Sequence, residues 1–296
     1  MKRFGVGLMF TEMVSDMGLI YGNKETETYL DIDEDELPVG IQLFGHDPEN
    51  IAKAADITSK LAQNFSLFDI NAGCPVNKVT KTGAGSALLK NPEILAEMVR
   101  KIKAQTGLPV TAKIRLGWDN SHINFLETIT LLVDSGVDAI SIHARTMKEL
   151  YSGKPHFELL ENIQEKFDVP IIVSGNIFTL DDAINALEIT KATAVMVARG
   201  SIGNPFLIKQ IDHYLETGER LPNPSLAEQK KYCLELAKYL IEEKGEERAM
   251  TIYRSMAPRF FTGFPNSKEI RSLLAQNLCS YRYLEEVLNS YNPEIE

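Results

Sequence analysis

The chain has 296 residues, with 31 Lys and Arg against 41 Asp and Glu for a net charge of −10, and it is 44% hydrophobic and 24% charged. That is an ordinary globular composition, long enough for one large domain plus a small one and far from disordered or fibrous classes. The acidic balance excludes coating of nucleic acid or anionic membrane by the whole surface, because such binding rests on Lys and Arg displacing counterions; only local basic patches remain open.

No apolar run approaches the roughly 18 residues that a membrane-spanning helix needs. Met1-Lys2-Arg3 and the apolar residues up to Phe10 imitate a signal peptide, but the stretch stops at Thr11-Glu12 without a small-residue cleavage site. No export signal is expected. Cys74, Cys233 and Cys279 are odd in number, far apart and without a Cys-x-x-Cys pair, which predicts neither a disulfide framework nor a zinc site and suits a reducing cytoplasm.

In chain order, apolar runs rich in β-branched residues span Leu8 to Ser15, Val39 to Gly45, Leu67 to Gly73, Val110 to Gly117, Ala139 to Arg145, Pro170 to Asn176 and Ala194 to Gly200. Seven strands are predicted, at a spacing near the roughly 30 residues of a strand-helix-strand unit. Between them, Asp47-Pro48, Asn91-Pro92 and Asn204-Pro205 each offer a side-chain cap before a proline at the first helical position. Gly107, Gly136 and Gly218 mark helix ends. Ile94, Leu95, Met98, Val99 and Ile102 give one of these helices an apolar face at 3.6-residue spacing.

Doubly buried strands alternating with helices imply a parallel α/β sheet. A (β/α)8 TIM barrel is favoured over an open sheet, because no Gly-x-Gly-x-x-Gly follows the first strand and nearly every strand ends in a polar cluster. Barrels assemble their sites from that end of several strands, whereas open sheets concentrate theirs at one switch point. Eight strands are needed and seven are visible, so the first barrel strand is expected to be missing ahead of Met1. Leu221-Pro222-Asn223-Pro224-Ser225 reads as a linker, dividing a barrel domain (1–222) from a small all-helical domain (223–296). Leu234, Ala237, Leu240 and Ile241 form one apolar face there, and Ile270, Leu273, Leu274 and Leu278 another.

The sharpest motif is Asp69-Ile70-Asn71-Ala72-Gly73-Cys74-Pro75. Cys74 sits just past a strand end, on the face where barrels do chemistry. An unperturbed thiol titrates near 8.5 and is mostly protonated at pH 7, so it can act as a general acid. Lys113, flanked by apolar Ala112 and Ile114, is expected to point into the barrel mouth, where a cation would stabilise an anionic reduced flavin. A structural ion pair is the alternative. His143 has no companions at metal spacing, so no metal is predicted. Arg145, with its forked donors, suits a phosphate or a planar polar ring. Ser174-Gly175-Asn176 and Ala198-Arg199-Gly200 close the last two strands, where barrels commonly bind phosphate.

Two basic patches stand out. Asn71 to Asn91 carries Lys78, Lys81 and Lys90 without an acid, and residues 248–271 hold Arg248, Arg254, Arg259, Lys268 and Arg271 against Glu269 alone. Tyr253, Phe260, Phe261 and Phe264 interleave with the second patch, a mixture that suits RNA through charge neutralisation and stacking. A solvated face over a helical core is the alternative.

Together these residues resemble the tRNA-dihydrouridine synthases, flavin enzymes that reduce a uridine in tRNA. The similarity is carried by Thr11-Glu12-Met13-Val14-Ser15, Gln42-Leu43-Phe44-Gly45, Asn71-Ala72-Gly73-Cys74-Pro75, Lys113-Ile114-Arg115, His143-Ala144-Arg145-Thr146, Ser174-Gly175-Asn176 and Ala198-Arg199-Gly200. The resemblance implies that Cys74 protonates C5 of the uracil while reduced FMN delivers hydride to C6. It implies FMN held by Gln42, Lys113, His143, Ser174, Gly175, Asn176, Ala198 and Arg199. Asn71 and Arg145 would contact the extruded base, Lys78, Lys81, Arg254 and Arg259 the tRNA, and NADPH or NADH would supply electrons. A cytoplasmic monomer is expected. The competing expectations are an FMN barrel acting on a small molecule, in the manner of dihydroorotate dehydrogenase, and a tRNA-binding protein impaired by the missing strand.

Overall fold

The structure is a computed structural model and describes residues 1–292. Its centre is a curled parallel sheet. The strands are β1 (Met9–Phe10), β2 (Val14–Ser15), β3 (Val39–Phe44), β4 (Leu67–Asn71), β5 (Val110–Arg115), β6 (Gly117–Asp119), β7 (His122–Ile123), β8 (Ala139–His143), β9 (Ile171–Ser174) and β10 (Ala194–Val195). They run in the order β1-β3-β4-β5-β8-β9-β10, with β2 also on β3 and β6-β7 forming a separate antiparallel hairpin. Among the described residues, β1 and β10 are the edges and no pairing joins them.

All seven expected strand positions are occupied, with two local differences. Phe10 pairs with Gly40 and Val14 with Leu43, so four steps on the first run match three on β3. The extra residue is taken up at Thr11-Glu12-Met13 as a bulge that splits the run into β1 and β2. The last strand is shorter than expected, ending at Val195, and Arg199–Ser201 turns as a 3-10 helix instead.

Helices cover the sheet at the expected positions. Asp47 accepts from the N–H groups of Glu49 and Asn50 to start Pro48–Leu61, and Pro92–Thr106 ends at Gly107 in the left-handed region (φ 68°). The expected caps at Asn91 and Asn204 do not form: neither side chain caps its helix, and Oδ1 of Asn204 is buried without a partner. The prolines alone supply the helical φ there. Leu95, Met98, Val99 and Ile102 are fully buried, each contributing about 1.5–3 kcal/mol by leaving water.

Two hydrophobic clusters form. One fills the sheet and its helices; the other joins Leu226–Lys244, Glu246–Tyr253, Ser267–Gln276 and Tyr281–Ser290 through Cys233, Ala237, Tyr253, Phe260, Phe261, Leu274 and Leu284. Ser225 starts the first of these helices with a reciprocal capping box to Glu228. Phe4 and Phe206 pack against Tyr232 between the clusters, and Arg3 pairs with Glu235. Residues 293–296 of the expected helical domain lie outside the described residues.

Candidate active site

Alternation along β4 puts Asp69 and Asn71 on one face and the core residues Phe68 and Ile70 on the other. Beyond β4 the chain turns back, and the Asn71 side chain holds the turn: its Oδ1 accepts from the N–H of Gly73 at 3.2 Å and of Cys74 at 2.9 Å. Its Nδ2 donates to Gln42 Oε1 at 2.7 Å and reaches Met13 Sδ at 3.1 Å. Asn71, expected on the base, is thus engaged within the protein. The Cys74 carbonyl accepts from Ser86 N at 3.0 Å, which folds the following segment back over the cysteine. Gly85 (φ +60°) makes this possible, because a Cβ there would lie 2.8 Å from the Cys74 carbonyl oxygen. Cys74 itself is half-buried.

Lys113 stands on β5 beside Asn71 in register and is half-buried. Burial pushes its ammonium down to about 8, partly offset by the Asp69 carboxylate and by Cys74. Asp69 is 1% exposed, with its carboxyl raised by burial, and it accepts from Thr111 and Gln42. Lys113 makes no ion pair within 4 Å among the described residues, so the structural ion pair weighed from sequence does not form. His143 at the end of β8 is pushed down to about 2 by burial and by Arg115, Lys113, Arg145 and Arg199, and its Nε2 lies 3.2 Å from Arg145 Nη1. It is a neutral acceptor at that nitrogen.

The two buried arginines face inward. Arg115 donates to the carbonyls of Gly73 (2.7 Å), Thr146 (2.9 Å) and Leu150 (2.9 Å), and Arg145 to those of Ser152 (2.9 Å) and Gly153 (2.7 Å). Arg145 is 0% exposed, and its fork holds the loop after β8. Glu149 caps that loop through Thr146 and pairs with His156 at 2.7 Å. Leu150 adopts φ 54°, a conformation costly for a branched side chain.

At the last two strands, Ser174 is buried and Asn176 takes φ 48°. Arg199 donates to Asn176 Oδ1 at 3.2 Å and stands 4.6 Å from the Tyr151 ring centre. Gly200 packs so closely on the Ile177 carbonyl that no side chain fits. The turns expected to cradle phosphate, 174–176 and 198–200, are therefore adjacent.

The basic patches divide. Lys78, Lys81 and Lys90 are all exposed, the first two at the short helix Asn77–Thr80, and Lys90 also lies 3.6 Å from the Trp118 ring centre. In the tail, Tyr253, Phe260 and Phe261 are 0–1% exposed, which corrects their expected stacking role: they are the core of the helical cluster. Arg254 is half-buried and donates to the Leu278 carbonyl at 2.7 Å. Arg259 is exposed and lines a cleft of about 950 Å³ between the two clusters, together with Phe178, Arg199, Arg220 and Phe264.

A family model described as dihydrouridine synthase matches residues 1–292. The chain belongs to the dihydrouridine synthase family. Among similar proteins, a probable tRNA-dihydrouridine synthase 1 of Synechocystis is 37% identical, over 91% of this chain and 75% of its own length. A probable tRNA-dihydrouridine synthase of Rickettsia bellii is 35% identical (91% and 82%), and tRNA-dihydrouridine synthase B of Pseudomonas aeruginosa is 32% identical (92% and 81%). Among solved structures, a mandelate oxidase mutant overlaps 73% of this chain and 66% of its own, at TM-score 0.47 and 17% identity, too distant to bear on the reaction.

Asp69, the Arg115 contacts, Glu149 and Arg220 have no counterpart among the sequence expectations. For Asp69 a signal existed, since a carboxylate inside an apolar strand is costly without a purpose. Arg220 carries no such mark. Among the described residues no cluster of three or more metal-ligating side chains occurs, and no helix is long and apolar enough to cross a membrane.

Proposed function

We infer the residue roles within an activity that family membership supplies: the chain is an oxidoreductase that reduces uridine in tRNA to 5,6-dihydrouridine. The observation that carries the reading is the Cys74 turn, held by Asn71 and Arg115 at the mouth of the sheet beside Lys113. Cys74 donates its thiol proton to C5 of the uracil as C6 receives hydride, and the thiolate regains a proton from water. The thiol needs no activating base for this, because it acts as an acid.

The mouth also suits FMN. Lys113, Arg115, Arg145 and Arg199 crowd His143, with Asp69 and Glu149 as the nearby carboxylates; such a surplus of positive charge fits a phosphate and a ring that becomes anionic on reduction. Gln42, Lys113 and His143 would hold the ring, and 174–176 with 198–199 the phosphate. Bound FMN, reduced by NADPH or NADH, supplies the hydride. Extrusion of the target base is needed, because a pocket at a strand end cannot reach a stacked ring.

Exposed Lys78 and Lys81 and the cleft with Arg220 and Arg259 support contact with the tRNA backbone. The two core clusters support a division near residue 222 into a catalytic and a tRNA-gripping part. A tRNA substrate and free cysteines support a cytoplasmic setting. The test is to incubate flavin-loaded protein with unmodified tRNA and NADPH and map dihydrouridine by mass spectrometry. Formation at defined uridines supports the reading; flavin-loaded protein that oxidises NADPH yet leaves every uridine intact overturns it.

A further inference from the structure

Asp69 is buried in the middle of β4, and of the groups assigned to the reaction it hydrogen-bonds Gln42 alone. Its Oδ1 accepts from Thr111 Oγ1 at 2.6 Å and its Oδ2 from Gln42 Nε2 at 2.6 Å. Gln42 Oε1 then accepts from Asn71 Nδ2 at 2.7 Å, and Asn71 Oδ1 accepts from Cys74 N at 2.9 Å. The chain has a single allowed polarity. A carboxylate only accepts and a backbone N–H only donates, so both intervening amides must each turn nitrogen one way and oxygen the other. With the acceptor at position 69 removed, Gln42 Nε2 is left buried without a partner. The Gln42 side chain is then anchored only through Asn71, and the pair that steadies Asn71 loosens.

We propose that Asp69 is a positioning residue: by accepting from Gln42 it anchors the Gln42 amide, and through it the Asn71 side chain that holds the Cys74 turn toward the uracil. This rests on the reading of Cys74 as proton donor. The rival role for Asp69 is simple charge compensation of Lys113.

Asp69→Asn separates the two roles. An asparagine can present its oxygen to Gln42 and its nitrogen to Thr111 Oγ1, which keeps the orientation without the charge. Asp69→Ala keeps neither. The expected result is that the Asn variant stays within about threefold of the natural enzyme in kcat. The Ala variant loses about 10- to 100-fold at saturating flavin, with KM for tRNA little changed. Asp69→Leu fills the space without a buried polar atom and serves where the Ala variant fails to fold. A second readout needs no turnover: the rate of Cys74 alkylation by iodoacetamide, resolved by peptide mass spectrometry against exposed Cys279, shifts in the Ala and Leu variants and not in Asn. An Asn variant as impaired as Ala overturns the proposal, as does an Ala variant with unchanged kcat and Cys74 reactivity. Absence of dihydrouridine with the natural enzyme would defeat the functional reading alone, since alkylation still tests the relay.

Discussion

Arg115 Nε donates to the Gly73 carbonyl at 2.7 Å, immediately before Cys74. The other contacts of the same guanidinium, to Thr146 and Leu150, tie the cysteine turn to the loop after β8. One buried cation therefore fixes two segments more than 70 residues apart in sequence.

Replacing Arg115 with Met leaves three carbonyls without their donor. The expected cost is about 2–4 kcal/mol of stability, together with faster hydrogen exchange at Ser86, whose N–H bonds to the Cys74 carbonyl. Arg115→Lys recovers only part of this, because an ammonium cannot span the fork. Urea denaturation and native-state exchange would check both.

Cys74→Ala removes the proton donor and little else, since the turn is held by backbone N–H groups. Flavin content and Tm are expected to match the natural protein, while dihydrouridine yield falls by about 100-fold or more. Normal yield from this variant would end the proposed role.

Gly85→Ala places a Cβ 2.8 Å from the Cys74 carbonyl oxygen at φ +60°. A loss of about 1–2 kcal/mol is expected, and kcat falls because the backbone around Cys74 must move. Chemical denaturation and steady-state kinetics on one preparation report the two effects separately.

Lys113 makes flavin-free stability depend on pH. Its ammonium is held at about 8, below the ordinary 10.5, so at pH 7 both states are protonated and the native state carries the full burial penalty. Between 8 and 10.5 the native ammonium loses its proton first and the penalty fades, so stability rises with pH across that window. Lys113→Met should therefore be more stable than the natural protein at pH 7, by about 1–2 kcal/mol once water reaching the half-buried side chain is allowed for. The advantage should vanish near pH 10.5. An equal difference at both pH values would contradict the assignment.

The arginines of the cleft and the helical region should separate by function. Arg220→Ala with Arg259→Ala is expected to weaken tRNA binding and reduce the slope of log K against log salt by about 1 per lost phosphate contact. Arg254→Ala should leave that slope unchanged and cost about 1–2 kcal/mol of stability, because its Nε serves the Leu278 carbonyl. Filter binding at several salt concentrations distinguishes the two.

Short-range patterns were enough to read much of this protein. β-Branched runs, Asp-Pro and Asn-Pro starts and terminal glycines locate seven strands and their helices, because strand and helix periods are local properties. The Gly-Cys-Pro turn at a strand end, with its companion motifs, identifies the family. Local patterns did not reveal the β6-β7 hairpin, whose Asp119 side chain folds back onto Ser121 N, or the bulge that splits β1 from β2.

Tertiary structure decided where the long polar side chains point. Arg145 looks from sequence like a ligand-facing fork, and in the structure it donates to the Ser152 and Gly153 carbonyls of its own loop, while Arg115 reaches carbonyls on two distant segments. Tyr253, Phe260 and Phe261 look like stacking surfaces and are core. Gln42, Asp69 and Asn71 become one hydrogen-bonded chain only when β3 and β4 lie side by side. Such partners are set by contacts distant in sequence, where a buried donor or acceptor must find its complement, and no window of neighbouring residues records which complement it will meet.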